Sequence, residues 1–159
     1  MQLQVKENIP LAPYTIYKIG GMARFFVEAE SEEEIRQVLA FAHEKALPFI
    51  IIGAGSNMLV SDEGFSGIVI RMSKGEVRVE GELLACDAGV MMARAVLAGA
   101  RAGLSGFEWG IGVPGTIGGS IRGNAGCFGG EMKDIVERVR MINGDMEIVE
   151  LSNVECAFG

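Results

Sequence analysis

"FIIIGAGSNMLVSDEGF", residues 49–65, sets an apolar run directly against a loop almost bare of side chains. Phe49 to Ile52 read as a buried strand that stops on Gly53, with Ala54, Gly55 and Ser56 next in line. So bare a backbone lets N–H groups converge on an anion, because no Cβ blocks the approach and glycine tolerates positive φ. Taken alone, the loop reads equally well as a turn or as a phosphate cradle.

Upstream, "RFFVEA" (24–29) reads as a strand, and "SEEEIRQVLAFAHEKAL" (31–47) opens with a capping box, Ser31 answered by Glu34. Ile35, Val38, Leu39, Ala42 and Ala46 form one helical stripe, and Pro48 is expected to end the helix. This strand, helix, strand unit delivers the chain into the glycine loop. Downstream, "GIVIRM" (67–72) is extended, and "EVRVEGELLACDAG" (76–89) reads as two short strands folding back at Gly81. "VMMARAVLAGARAG" (90–103) is the second helix, with Met91 and Met92 read as core filler. "VERVRMINGDMEIVEL" (136–151) is a hairpin with Asn143-Gly144 at its turn. The fold class is therefore α+β: a small β-α-β lobe, about 1–72, followed by a mostly antiparallel lobe around a helix, about 73–159.

A second glycine cluster, "GLSGFEWGIGVPGTIGGSIRGNAGCFGG", holds eleven glycines in the twenty-eight residues 103–130. Trp109, Ile111, Val113, Ile117 and Ile121 are interleaved with them, a composition that predicts folded structure and excludes a flexible linker. Neither cluster is a dinucleotide fingerprint, since Gly53 and Gly55 are followed by "NMLVSDEGF", a poor helix start. Neither ends in the Gly-Lys-Ser/Thr of a P-loop. What remains is a pyrophosphate held from two sides, by "GAGSNM" (53–58) and "PGTIGGS" (114–120).

The 159 residues suffice for one core, 49% of them are hydrophobic, and no apolar run reaches the ~18–20 residues of a membrane span. The N-terminal stretch has no basic or apolar leader, so a soluble, cytoplasmic protein is expected. Cys86, Cys127 and Cys156 lie far apart, which fits reduced thiols, and His43 has no Cys or His at ligand spacing; no metal is expected. A net charge of −7 argues against nucleic-acid binding but not against an anion held by backbone amides.

"TIYKIGGMARFF" (15–26), "IIGAGSNMLVSDEGFSGIVI" (51–70) and "GIGVPGTIGGSIRGNAGCFGGEMKDIV" (110–136) together resemble the N-terminal half of the UDP-N-acetylenolpyruvoylglucosamine reductase family, flavoenzymes of peptidoglycan precursor synthesis. The resemblance implies an FAD-binding domain of the vanillyl-alcohol-oxidase or p-cresol-methylhydroxylase type, whose two lobes clasp an extended FAD. It assigns Gly53, Ala54, Gly55, Ser56, Asn57, Met58 and Leu59 to the first cofactor loop, with Ser56 and Asn57 as side-chain donors. Pro114, Gly115, Thr116, Gly118, Gly119 and Ser120 form the second, and Asn124, Ala125 and Gly126 are expected near the flavin or ribityl chain. "SIRG" (120–123) departs from the family pattern, so Arg122 and Gly123 receive no role.

The implied reaction uses NADPH as reductant and converts UDP-N-acetylglucosamine enolpyruvate to UDP-N-acetylmuramate. The FAD is expected to be noncovalent, since the first loop has no histidine or cysteine; Cys127 is the conceivable alternative tether. The family's substrate-clamping arginine and glutamate and its proton-donating serine are expected beyond Gly159, leaving no catalytic residue in this truncated stretch. A monomer is expected at full length. Two other readings stay open: a standalone flavin-binding module, and part of a sugar or alcohol oxidase of the same superfamily.

Overall fold

The computed structural model describes residues 4–159, so the reading of the extreme N-terminus falls partly outside the described residues. Along the chain run β1 (Lys6–Pro10), β2 (Met22–Glu28), α1 (Glu32–Glu44), β3 (Phe49–Ile52) and β4 (Phe65–Arg71). They are followed by β5 (Val77–Glu80), β6 (Leu83–Cys86), α2 (Met92–Arg101) and α3 (Ile117–Arg122). The last elements are β7 (Gly126–Cys127), β8 (Gly130–Glu131), α4 (Met132–Ile135), β9 (Arg138–Ile142) and β10 (Ile148–Ser152).

The first four strands form one mixed sheet in the order β1-β2-β4-β3, with β4 parallel to both β2 and β3 and β1 antiparallel to β2. The β2-α1-β3 unit is thus a crossover that leaves a gap, and β4 fills it. Strand alternation sorts the side chains: Val27, Ile68 and Ile70 face α1 and pack on Val38, Leu39 and Ala42. Phe26 and Val69 point the other way, onto Leu11, Ala23 and Ile52.

At the start of α1 the Glu34 N–H donates to the Ser31 hydroxyl oxygen at 3.2 Å. The Glu34 carboxylate accepts from the Glu30 N–H (2.7 Å) instead of from Ser31, so the capping box closes one residue further out than expected. At its other end the helix stops at Glu44, ahead of Pro48, and Ala46 is exposed instead of extending the apolar stripe. Proline bars the α conformation from Leu47, so the helix closes early in a Schellman turn. Ala46 sits at φ +49°, its N–H donates to His43 O (3.1 Å), and the Leu47 N–H donates to Ala42 O (2.9 Å). Leu47 rather than Ala46 then swings onto the core.

Beyond β4 the strands form separate two-stranded antiparallel ladders, β5–β6, β7–β8 and β9–β10. The β5–β6 hairpin turns at Gly81 as read from the sequence. Of the two methionines expected in the core, Met92 is fully buried, whereas Met91 precedes the first turn of α2 and is 46% exposed. Met92 joins Val90, Ala95, Ile117 and Met132 in a third cluster, flanked by Phe107 and Trp109 with their rings 5.6 Å apart.

The β9–β10 hairpin forms, but Asn143-Gly144 is not its two-residue turn. Asn143 is the last paired residue: its N–H donates to Glu147 O (2.9 Å), and its carbonyl accepts from Met146 at 3.1 Å. Gly144, Asp145 and Met146 form a three-residue loop with Met146 at φ +66°. The Asn143 Oδ1 accepts from the Asp145 and Glu147 N–H groups, the local bonding that favours this longer loop. Ile142 and Met146 pack against the cluster under α1, and Arg140 pairs with Glu32 at 2.6 Å. Among the described residues no helix is long and apolar enough to cross a membrane.

Candidate functional site

The first glycine loop leaves the carboxyl end of β3 and is shored from behind. Gly55 is buried at φ +65°, and a Cβ there would overlap the Tyr14 carbonyl oxygen. The Ile16 N–H donates to the Gly55 carbonyl at 3.1 Å. Tyr14 is itself held on Phe26, with ring centroids 4.5 Å apart, and the Arg71 guanidinium lies 5.0 Å from the Tyr14 ring centroid. The stretch after β1 thus supports the loop, a role the sequence reading gave neither to Tyr14 nor to "TIYKIGG" (15–21).

The two glycine loops touch. A Cβ on Gly53 would overlap the Thr116 hydroxyl, itself buried, so the loops approach more closely here than a side chain allows. Ser56 donates its hydroxyl proton to the Pro114 carbonyl at 3.0 Å, across 58 residues of sequence. Its oxygen lies 2.9 Å from where a Gly115 Cβ would stand.

Among the described residues, the backbone N–H groups of Ala54 to Leu59 donate to no protein acceptor, and neither do those of Gly115 and Thr116. Gly55, Gly115 and Thr116 are buried, where backbone donors are nearly always satisfied, so their unspent N–H groups point to an acceptor-rich ligand. "GAGSNMLV" and "VPGTIGGSI" carry no Lys or Arg, so an anion here would be met by peptide dipoles. Among the described residues no group of three or more His, Cys, Asp or Glu could hold a metal ion.

The other expected site residues divide by what they face. The Ile117 and Gly118 N–H groups donate to Val90 O (2.8 Å) and Ala88 O (2.9 Å), tying the start of α3 to the turn before α2. A Cβ on Gly118 would lie 2.7 Å from the Ala88 Cβ, so this glycine serves packing. The Gly119 N–H donates to the Thr116 hydroxyl at 3.4 Å and the Ser120 N–H to the Thr116 carbonyl at 2.9 Å. Met58 packs into the cluster around Leu11, whereas Asn57 is exposed and Leu59 is 77% exposed beside the loop.

Asn124 turns inward. At φ +42° its amide donates to Glu131 Oε2 (2.6 Å) and to Gly159 O (3.2 Å), while its Oδ1 accepts from the Lys133 N–H at 3.0 Å. The Ala125 N–H donates to Ser120 O (2.8 Å), and Gly126 pairs with Glu131 in the β7–β8 ladder. Of the thiols, Cys86 is pushed up from its ordinary pKa, first by burial and then by the Asp87 charge, which makes it a poor nucleophile. The Ala88 to Val90 support was missed in sequence, since "CDAG" carries no signal of its own.

A family model described as FAD binding domain matches residues 23–152. The UDP-N-acetylenolpyruvoylglucosamine reductase of Carboxydothermus hydrogenoformans is 43% identical over 157 residues, covering 97% of this chain and 52% of that protein. Its counterpart from Synechococcus sp. is 38% identical, covering 98% and 51%. The chain spans about half the length of the curated relatives it matches. Among solved structures, the UDP-N-acetylenolpyruvylglucosamine reductase of Thermus caldophilus superposes with a TM-score of 0.82 at 32% identity, over 99% of this chain and 56% of that one. Cholesterol oxidase from Brevibacterium sterolicum shares the fold, with a TM-score of 0.64 at 14% identity over 95% of this chain and 32% of that one.

Proposed function

The chain belongs to the FAD binding domain family, and we propose that it is the FAD-holding part of an NADPH-dependent reductase that converts UDP-N-acetylglucosamine enolpyruvate to UDP-N-acetylmuramate. The observation that carries the proposal is the direct contact of two glycine loops whose adjoining N–H groups are unspent. A pyrophosphate supplies the several acceptor oxygens that such donors require, and the absence of Cβ atoms at Gly53 and Gly115 keeps the loops close enough to present them together. Noncovalently bound FAD would supply the hydride-transfer chemistry.

The chain's own residues bind and orient. Ala54 to Leu59, with Gly115 and Thr116, hold the pyrophosphate; Asn124, by fixing residues 131–133, shapes the wall nearest the flavin. The unit divides near residue 72, and the β9–β10 hairpin reaches back to α1. No residue of this chain is assigned to the substrate's carboxylate clamp or to its proton donor. On this reading the partner is a small nucleotide sugar, the setting cytoplasmic, and the full-length protein monomeric.

Titration of the purified chain with FAD, FMN and riboflavin tests the proposal. FAD should bind at least tenfold more tightly than riboflavin, because each charge-assisted hydrogen bond to the pyrophosphate adds about 1.5–3 kcal/mol. Acid precipitation should release all the colour. Equal affinity for riboflavin would overturn the pyrophosphate assignment, and colour retained in the pellet would overturn the noncovalent one.

A further inference from the structure

We propose that the Ser56 hydroxyl is a positioning group that locks the two glycine loops together in the absence of cofactor, rather than a donor to the cofactor itself. The inference rests on the FAD reading for its consequence but on the loop geometry for its substance. A serine hydroxyl has one proton, and here that proton is directed at Pro114 O, 3.0 Å away. Ser56 lies within the run of unspent N–H groups of the first loop, and Pro114 immediately precedes the unspent N–H groups of Gly115 and Thr116. One hydrogen bond thus joins the two sets of donors at their boundary.

Among the described residues it is the only hydrogen bond between residues 53–59 and 114–120. The rest of that interface is packing, Thr116 against Gly53 and the Ser56 oxygen over Gly115. Proline suits the acceptor position, since its ring fixes φ and so limits where its carbonyl can point. With the hydroxyl removed, residues 114–116 keep the hydrogen bond from the Met92 N–H to the Gly115 carbonyl (3.0 Å), but packing alone would relate them to the first loop, and their two donors would no longer be aimed in common with those of that loop. A ligand binding both sets would then have to order them itself, which weakens affinity.

The test is Ser56→Ala, with Ser56→Thr restoring a hydroxyl, measured by hydrogen exchange of the flavin-free chain and by titration with FAD and with ADP, which keeps the pyrophosphate but lacks the flavin. One neutral hydrogen bond predicts that Ser56→Ala speeds exchange at residues 117–120 by about two- to tenfold without flavin, and weakens FAD and ADP by a similar factor. Ser56→Thr should recover both. If affinity falls while exchange in the flavin-free chain is unchanged, the hydroxyl is a direct ligand and the proposal fails. It fails also if neither quantity changes, or if exchange rises evenly over the whole chain. Failure of the parent chain to bind FAD would refute the functional reading separately, since the exchange comparison needs no flavin.

Discussion

Gly55→Ala and Gly81→Ala make a matched pair. Both glycines sit at φ +65°, so alanine meets the same backbone penalty at either site, about 1 kcal/mol. Around Gly81 nothing lies within 4 Å of the added methyl, so that variant should lose about 1 kcal/mol and no more. At Gly55 the methyl would overlap the Tyr14 carbonyl oxygen, and would stand 3.0 Å from the carbonyl carbon and 3.1 Å from the Thr15 Cα. These are backbone atoms, which cannot rotate aside. Relief requires the loop to retreat by ~1 Å, against the packing of Tyr14 on Phe26. The retreat also stretches the 3.1 Å hydrogen bond from the Ile16 N–H to the Gly55 carbonyl. Overpacking of this kind costs about 1–3 kcal/mol and the hydrogen bond about 1 kcal/mol more, so Gly55→Ala should lose about 3–5 kcal/mol in total. Urea denaturation of the two variants beside the parent gives the difference directly, and FAD titration shows whether the displaced loop still binds. A Gly55→Ala loss within about 0.5 kcal/mol of the Gly81→Ala loss would refute the argument, because it would mean that the Tyr14–Gly55 contact yields freely.

Ala46→Gly should stabilise the chain by about 1 kcal/mol in the same denaturation assay, since glycine occupies the left-handed position of the Schellman turn without strain. Gly118→Val should lower the melting temperature of the flavin-free chain and not only weaken FAD, because its side chain would collide with Ala88; unchanged melting would show that α3 can lift from that turn. The Glu32 carboxyl is held below its ordinary value, chiefly by the hydrogen bond from Arg140 and then by that from Arg36. A lowered folded pKa gives a contribution that is present above the unfolded value and lost as pH falls through the folded one. The melting difference between parent and Glu32→Gln should therefore shrink as pH falls from about 6 to about 3; a constant difference would break the linkage. Gly99→Ala should be close to neutral by thermal melting. The Leu84 Cδ1 atom, 3.0 Å from the new Cβ, is a flexible tip that can move, and the gain in helix propensity of about 1 kcal/mol offsets the shift.

What the sequence determined by itself is what depends on near neighbours along the chain. "GIVIRM" reads as extended, Ser31 starts a helix, Gly81 turns a hairpin, and "FIII" running into Gly53 marks a strand that ends on a bare loop. The second glycine cluster was legible as folded because its apolar residues belong in a core, and Ile117 and Trp109 are found at the third cluster. Tertiary structure decided whatever depends on which segment lies opposite. The insertion of β4 between β2 and β3 is a pairing choice among three apolar strands that sequence order does not encode. Met91 and Met92 are alike in composition, but only Met92 points toward Ala95 and Ile117. Gly55 and Gly118 both read as phosphate-loop glycines, yet one is bare because Tyr14 presses on it and the other because Ala88 does. Ser56 is legible in sequence as part of the bare loop, but only the fold brings the Pro114 carbonyl within 3.0 Å of it. A hydroxyl proton goes to the nearest well-placed acceptor, and an acceptor 58 residues away comes within reach only when the chain has folded.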